Sequence, residues 1–336
     1  MFKADYWKKE GRNIRCVLCQ RKCLITKDKS GFCGVRTNQD NILFSKNYGY
    51  VSSINVDPIE KKPFYHFYPG SKIFSYGSFG CNFKCQFCCN SDISQTDVER
   101  LFTQMSPDEL FERAKLSGAV SIAHTYNEPT IFMEYALDVM KLSKAKIKNV
   151  FVTNGYISDA PIKKLTGKLD AVVIDFKGNN ELFYEKFTSA KLDLVKNGAL
   201  LYKKLKPHIE ITNLVVPNKN NNMDELTEQF KWILKNFGKD TPYHLLRFYP
   251  AYEMKDTIDT SITSLEKLRK TAMDIGLNYV YIGNVFEHEG NNTYCPKCSN
   301  LLVIRSGFDI TKYSIKGDNT CPKCGERIAI TGGFTG

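Results

Sequence analysis

The sequence predicts an α/β fold: a partial (β/α)6 TIM-type barrel with a small N-terminal cysteine-rich region and a C-terminal zinc ribbon. Three observations lead there. From residue 71 onward, apolar strand-like runs alternate with amphipathic helical runs, the signature of a parallel sheet with right-handed crossovers. About six strand–helix units can be counted, too few for a closed eight-fold barrel. The 12 cysteines fall into three groups, 16/19/23/33, 81/85/88/89 and 295/298/321/324, of which the outer two flank the alternating region. The expected division is therefore 1–70 (cysteine-rich), 71–288 (core) and 289–336 (ribbon).

The elements follow in order. Ile73–Phe79 is an apolar strand leading into a cysteine loop. Ser106-Pro107-Asp108-Glu109 places an N-cap serine, a proline at the first helical position and a glutamate at N3, so a helix is expected over about 107–117. Ala119–His124 is the next strand, followed by Ile131, Tyr135, Val139 and Leu142 at helical spacing. Asn149–Val152 is a strand ending in Thr-Asn-Gly; Val172–Phe176 and Ile209–Val216 are buried strands. Asp224–Phe237 is an amphipathic helix closed by Gly238, and Ser264–Ile275 a helix stopped by Gly276. Tyr243–Phe248 and Tyr279–Ile282 complete the strands. In such architectures the reactive residues gather at the C-terminal ends of the strands.

A chain of 336 residues, 42% hydrophobic and 12% aromatic, has ample material for a packed core, which excludes disorder. No run of eighteen apolar residues occurs, and Met1-Phe2-Lys3-Ala4-Asp5 lacks the apolar stretch of a signal peptide, so a cytoplasmic protein with no membrane partner is expected. Cysteines in that setting read as metal ligands rather than disulfides. The net charge of +11 is compatible with an acidic partner such as RNA. The lysines, however, are scattered along helices (Lys141, Lys144, Lys146, Lys148; Lys203, Lys204, Lys206), which favours a solvated surface over nucleic acid.

The run Gly80-Cys81-Asn82-Phe83-Lys84-Cys85-Gln86-Phe87-Cys88 spaces three cysteines as CxxxCxxC directly after a strand. Four-iron–four-sulfur cubanes are usually held by four thiolates. Three from one loop leave an iron open, and an open coordination position is where metal chemistry occurs. A zinc knuckle borrowing Cys89 is the rival reading, but zinc hooks prefer two-residue gaps. Cys89 is otherwise expected to be a small buried hydrophobe.

Two CPxC hooks, Cys295-Pro296-Lys297-Cys298 and Cys321-Pro322-Lys323-Cys324, form the zinc-ribbon pattern, with a rubredoxin-like iron as the alternative. Cys16, Cys19, Cys23 and Cys33 make a second four-thiolate set whose irregular spacing fits zinc or an auxiliary cluster.

The CxxxCxxC spacing, with Phe87 before its last cysteine, resembles the radical S-adenosylmethionine (radical SAM) superfamily. The resemblance implies the radical SAM fold, a 4Fe-4S cluster on Cys81, Cys85 and Cys88, and SAM chelating the open iron. It places Phe87 near the SAM adenine. Thr125-Tyr126-Asn127-Glu128-Pro129 stands where the superfamily has a Gly-Gly-Glu element that binds the methionyl ammonium, with Tyr126 and Asn127 at the glycine positions. A carboxylate suits an ammonium, because charge-assisted hydrogen bonds are short and strong.

Val152-Thr153-Asn154-Gly155 and Val173-Ile174-Asp175-Phe176-Lys177 resemble the pyruvate formate-lyase activating enzymes and their relatives, where the acid and the lysine of the second run face SAM. Asp175 and Lys177, two apart on a strand, point to one side. Those enzymes carry an aspartate where this chain has Val152, so a cation site that would use that aspartate is not carried over to this chain. Pro242-Tyr243-His244 matches the element that places a histidine near the SAM ribose; a structural histidine is the other reading. The expected cofactor contacts are thus Phe87, Asn127, Glu128, Asn154, Asp175, Lys177 and His244.

Asp57–Ser71, Tyr126–Thr130, Phe151–Tyr156, Arg247–Pro250 and Tyr281–Val285 resemble the radical SAM proteins of the AmmeMemoRadiSam system, a branch of the activating-enzyme-like group, over nearly the whole chain. This implies an anaerobic enzyme that cleaves SAM reductively to a deoxyadenosyl radical, which abstracts hydrogen from a substrate. It implies a low-potential flavodoxin or ferredoxin as donor, and Memo-type and AMMECR-type proteins as partners. Rival functions are a glycyl-radical-enzyme activase, an RNA-modifying radical SAM enzyme and an iron–sulfur electron carrier, the last expected to have a fourth thiolate on every cluster.

Overall fold

The computed structural model describes residues 1–96, 102–143 and 146–336; Lys144 lies outside the described residues. Its strand–helix series runs β1 (Ser53–Pro58), β2 (Lys72–Gly77), α1 (Pro107–Leu116), β3 (Ser121–His124), α2 (Met133–Ser143), β4 (Lys148–Thr153), β5 (Ala171–Phe176), α3 (Glu181–Thr188), α4 (Leu192–Leu205), β6 (His208–Val215), α5 (Met223–Phe237), β7 (Tyr243–Arg247), α6 (Ile262–Ile275) and β8 (Val280–Gly283). The ribbon strands are β9 (Thr293–Tyr294), β10 (Leu301–Ser306) and β11 (Asp309–Tyr313). Among the described residues no helix is long and apolar enough to cross a membrane.

The chain forms two compact units. The first comprises Met1–Asp57, Ile73–Val172 and Phe187–Pro207. In it β1, β2, β3 and β4 are successive neighbours, with β3 parallel to both β2 (Ser121↔Ile73) and β4 (Ser121↔Lys148). α1 begins as its sequence dictates. Ser106 Oγ accepts from Glu109 N at 3.2 Å, and Glu109 Oε2 accepts from Ser106 N at 2.7 Å. α4 was not legible from the sequence as a separate element, although Leu192, Val195, Ala199 and Tyr202 repeat at helical spacing on its buried face. Its Gly198 is required by contact: a Cβ there would stand 1.7 Å from the Gly155 carbonyl oxygen. Residues 1–45 add two small antiparallel sheets, Phe2–Lys3 with Ile42–Ser45 and Arg36–Gln39, and Trp7–Glu10 with Asn13–Cys16 and Leu24–Ile25.

The second unit comprises Pro58–Lys72, Val173–Lys186 and His208–Gly336. Here β5, β6, β7 and β8 are successive neighbours, and β6, β7 and β8 run parallel (Ile211↔Tyr243, Tyr243↔Val280). α5 is capped by Asn222, whose Oδ1 accepts from Glu225 N at 3.0 Å, and it ends at Gly238 with φ +97°. The ribbon strands pack onto β8. Tyr65, Tyr279 and Tyr281 share one buried cluster with Leu302, Val303 and Ile328. The ribbon's core is therefore not self-contained, because three of the ten buried residues in this cluster come from elsewhere in the unit.

Glu60 sits in this unit with its carboxyl buried, Oε1 accepting from Gly70 N at 2.9 Å and Oε2 without a partner. Burial pushes it up to about 7 from 4.5, against the pull of the Arg305 charge. A carboxyl with a raised folded value favours the fold fully only at low pH. As pH rises from 4.5 through 7 the unfolded chain gives up a proton that the fold retains, and stability falls. Glu60→Gln is therefore expected to raise the melting temperature above pH 7, by up to about 3 kcal/mol of stability, and to change it little near pH 4.5. Thermal denaturation across that range checks it; a gain independent of pH would show that Glu60 does not titrate there.

Candidate active site and metal centres

In the first unit the CxxxCxxC loop leaves the C-terminal end of β2. Lys84 N donates to Thr188 O at 2.9 Å and Gln86 N to Phe187 O at 3.0 Å, so the loop is held by the residues just before α4. Cys85 is buried, Cys81 and Cys88 are half-buried, and Cys89 is exposed rather than buried as expected. Phe83 N points at Cys81 Sγ (3.4 Å), and Cys88 Sγ lies 3.2 Å from Ser94 Oγ. Burial first, then the charges of Glu128 and Cys85, push the Cys81 thiol well up, so a metal must displace a proton to bind. Phe87 is buried beside Cys88.

Asn127 fixes the approach to this loop. Its Oδ1 accepts from Ser78 N at 3.0 Å and its Nδ2 donates to Gly80 O at 2.9 Å. Tyr126 adopts φ +65°, the left-handed region that glycine enters without strain. That conformation accounts for a glycine-favouring position there.

Glu128 is buried and fully engaged. Oε1 accepts from Thr130 N (3.0 Å), Thr130 Oγ1 (2.5 Å) and Thr153 Oγ1 (2.7 Å), and Oε2 accepts from Asn154 N (2.8 Å). Burial raises its carboxyl and these four donors oppose it. Three of these donors crowd Oε1, whereas Oε2 accepts only the Asn154 N–H and keeps an acceptor site to spare. Asn154 then reaches the cysteine loop, its Nδ2 donating to Asn82 Oδ1 at 2.8 Å. Thr130, Thr153 and Asn82 were not singled out in the sequence. Only the register of the strand ends brings them together.

In the second unit, Asp175 and Lys177 pair at 2.9 Å, and Thr212 Oγ1 donates to Asp175 Oδ1. His244 is buried with Nε2 2.7 Å from Glu210 Oε2, and its ring stacks on Tyr281. Glu210 also accepts from Tyr65 N (3.0 Å), His66 N (2.8 Å) and His208 Nε2 (3.0 Å). Burial would raise this carboxyl, but the hydrogen bonds from His208 and His244 win and hold it well below the carboxylate range. Glu210 and Thr212 face one side of β6, so the His244 layer lies one step along the strand from the Asp175 layer. His244 is thus committed through Nε2 to a structural acceptor.

Cys295, Cys298, Cys321 and Cys324 have their sulfurs all within 4.8 Å of one another. Cys295 faces Cys324 at 3.5 Å and Cys298 faces Cys321 at 3.8 Å. Among the described residues this is the one group of three or more ligating side chains gathered so tightly, and it could hold a single metal ion.

A sequence profile of the radical SAM superfamily matches residues 76–233, the span that carries the cysteine loop, Glu128, Asn154 and Asp175. The chain is 42% identical over 306 residues to the uncharacterized protein MJ0808 of Methanocaldococcus jannaschii, covering 90% of this chain and 91% of that protein. Residues 76–233 thus carry a radical SAM superfamily domain. The chain's fold is similar to that of a radical SAM methyltransferase from Sphaerobacter thermophilus, with TM-score 0.51 and 12% identity over 70% of this chain and 71% of the other. It is also similar to Streptococcus suis SuiB bound to S-adenosylmethionine, with TM-score 0.50 and 14% identity over 61% of this chain and 48% of that one. The superfamily consists of enzymes that use a 4Fe-4S cluster and SAM, and they generally draw on a reductant such as flavodoxin or ferredoxin. The residues of the loop fit such a cluster: three thiols on one loop, a backbone N–H aimed at one sulfur, and sulfurs not knotted around a single-ion position.

Replacing Cys81, Cys85 or Cys88 by alanine is expected to abolish one cluster's iron and SAM cleavage together, and Cys89→Ala to leave both intact. Iron, sulfide and deoxyadenosine assays check this; loss of the cluster with Cys89 alone would overturn the three-cysteine site. Glu128→Ala strands the donors of Thr130 and Asn154 in a buried site, and should cost at least about 2–3 kcal/mol of stability in denaturant titration.

Proposed function

We propose that the protein is a SAM-cleaving enzyme of the AmmeMemoRadiSam branch, acting with Memo-type and AMMECR-type proteins on a substrate from which it removes a hydrogen atom. A partial barrel spanning the core is the scaffold of this reading, the ribbon cysteines hold a structural zinc, and the setting is the anaerobic cytoplasm. The observation that carries it is the chain of contacts from Glu128 through Asn154 to Asn82, which ties two strand ends to the CxxxCxxC loop.

The 4Fe-4S cluster and SAM, when bound, supply a deoxyadenosyl radical after one-electron reduction by a low-potential flavodoxin or ferredoxin. The protein's own residues do the rest. Cys81, Cys85 and Cys88 would hold the cluster through three thiolates. Asn127 sets the backbone from Ser78 to Gly80 and so aims Cys81. Glu128 fixes Thr153 and Asn154, and its Oε2, which takes only the Asn154 N–H, is the oxygen that would meet the SAM ammonium. Lys177 neutralises a carboxylate, being already paired with Asp175 and only slightly exposed. Phe87 lends an apolar wall and excludes water. His244, held by Glu210, stiffens the floor of its unit more than it offers a ligand contact.

The test is anaerobic incubation of reconstituted protein with dithionite and SAM, assayed for deoxyadenosine with and without Memo-type and AMMECR-type proteins. Deoxyadenosine formation that rises with the partners supports the reading; its absence from a fully loaded protein would overturn it. Asn154→Ala keeps the backbone bond to Glu128 but loses the amide to Asn82. It should weaken SAM binding about tenfold, or roughly 1.4 kcal/mol, with cluster iron retained. Metal analysis should return about one zinc per chain, lost when the ribbon cysteines are replaced.

A further inference from the structure

We propose that Cys16, Cys19, Cys23 and Cys33 hold a second iron–sulfur cluster of the four-iron class, separate from the one on the CxxxCxxC loop. The local fold brings them together. Cys16 ends one strand of a hairpin and Cys23 precedes its partner, Cys16 N donating to Cys23 O at 2.9 Å. Cys19 lies in the turn between, bridged to Ile157, and Cys33 lies in the tight turn Gly31–Gly34. All four line one pocket, together with Arg21 and Arg36.

Two features separate this site from a zinc knot. Its sulfurs are not drawn within 4.8 Å of one another, unlike those of the four ribbon cysteines. A single ion gathers its thiolates tightly, whereas a cubane sets each on a different iron and so farther apart. The second feature is a pair of buried donors with nothing to bond. Arg36 Nε and Asn82 Nδ2 are both enclosed without a hydrogen-bond partner, and both residues line this cavity. Leaving such groups unpaired is costly, and the sulfurs of an anionic cluster are acceptors that N–H groups commonly meet. Arg36 is 1% exposed, and its other nitrogens are anchored on the Glu134 carboxylate, with which it forms a buried ion pair, and on the Ile131 carbonyl, so its unpartnered Nε is held in place at the pocket wall.

The site shares a wall with the other cysteine loop. Asn82 belongs to both, Arg21 Nε donates to its carbonyl at 2.5 Å, and a Cβ on Gly80 would stand 2.6 Å from the Cys33 carbonyl oxygen.

The test is a metal and sulfide count on the full chain reconstituted anaerobically with ferrous iron and sulfide. Wild type should hold about eight irons, eight acid-labile sulfides and one zinc; the C81A/C85A/C88A variant should keep about four irons and four sulfides. On dithionite reduction, that variant should give a cubane electron paramagnetic resonance signal unmoved by SAM. About four irons and two zincs in wild type would assign zinc to the N-terminal set and overturn the proposal. So would iron without sulfide in the triple variant. The wild-type count decides even if the triple variant does not fold.

Discussion

The buried carboxylate of Glu128 is the constraint from which the first unit's site is built. It stands just past β3 and gathers four donors from Thr130, Thr153 and Asn154. Two parallel strands end with unpaired polar groups that have no further ladder to join. One carboxylate satisfies several at once and so fixes the position of one strand end against the other. Asn154, oriented by this arrangement, passes the constraint to Asn82 in the cysteine loop. Asn127, adjacent to Glu128, fixes the same loop from its other side at Ser78 and Gly80. Placement of the three thiols is thereby tied to hydrogen bonds at fixed strand ends rather than to the loop's own conformational preference, which is how a reactive constellation on a loop becomes preorganised.

A second buried carboxylate organises the other unit by the same physics with a different outcome. Glu210 collects two backbone N–H groups, from Tyr65 and His66, and two imidazoles, from His208 and His244. The hydrogen bonds and charges of His208 and His244 overcome the desolvation penalty and hold it low, whereas Glu60, with one backbone donor and one bare oxygen, is driven toward the neutral form. Two buried acids in one unit thus take opposite protonation behaviour from the kind of donor each is given.

The strand series and its order were legible because each strand is apolar and each helix carries its own punctuation. The Ser106–Glu109 capping box, Gly238 and Gly276 mark ends that the structure reproduces. β1, α3 and α4 were not read. β1 is polar, with Ser53, Asn55 and Asp57, and α4 carries a glycine whose presence is explained only by the Gly155 backbone against it. Of the site, the cysteine loop and the polar residues at strand ends were visible as motifs. Their partners were not, because Thr130, Thr153 and Asn82 acquire meaning only from register. His244 shows the converse: its motif is sequence-local, while the Glu210 acceptor that occupies Nε2 lies 34 residues away.

Spacing alone also does not choose among metals, since thiols separated by two residues can serve a single ion or a cluster. The distances between sulfurs carry that information. The ribbon hooks close to 3.5 and 3.8 Å across their pairs, which leaves room for one ion at their centre. The ribbon's apolar side is shared with Tyr65, Tyr279 and Tyr281, so a metal there braces a sheet already anchored to β8. The CxxxCxxC thiols, by contrast, are not gathered within 4.8 Å of one another, and Cys81 Sγ lies 3.9 Å from Asn82 Oδ1. An ion held by four thiolates has no vacancy and can only stabilise, whereas a cluster held by three keeps one iron free to bind a ligand. On the proposed function, the same residue type serves structure at one end of the chain and chemistry in its middle, according to whether the fold supplies the last ligand or withholds it.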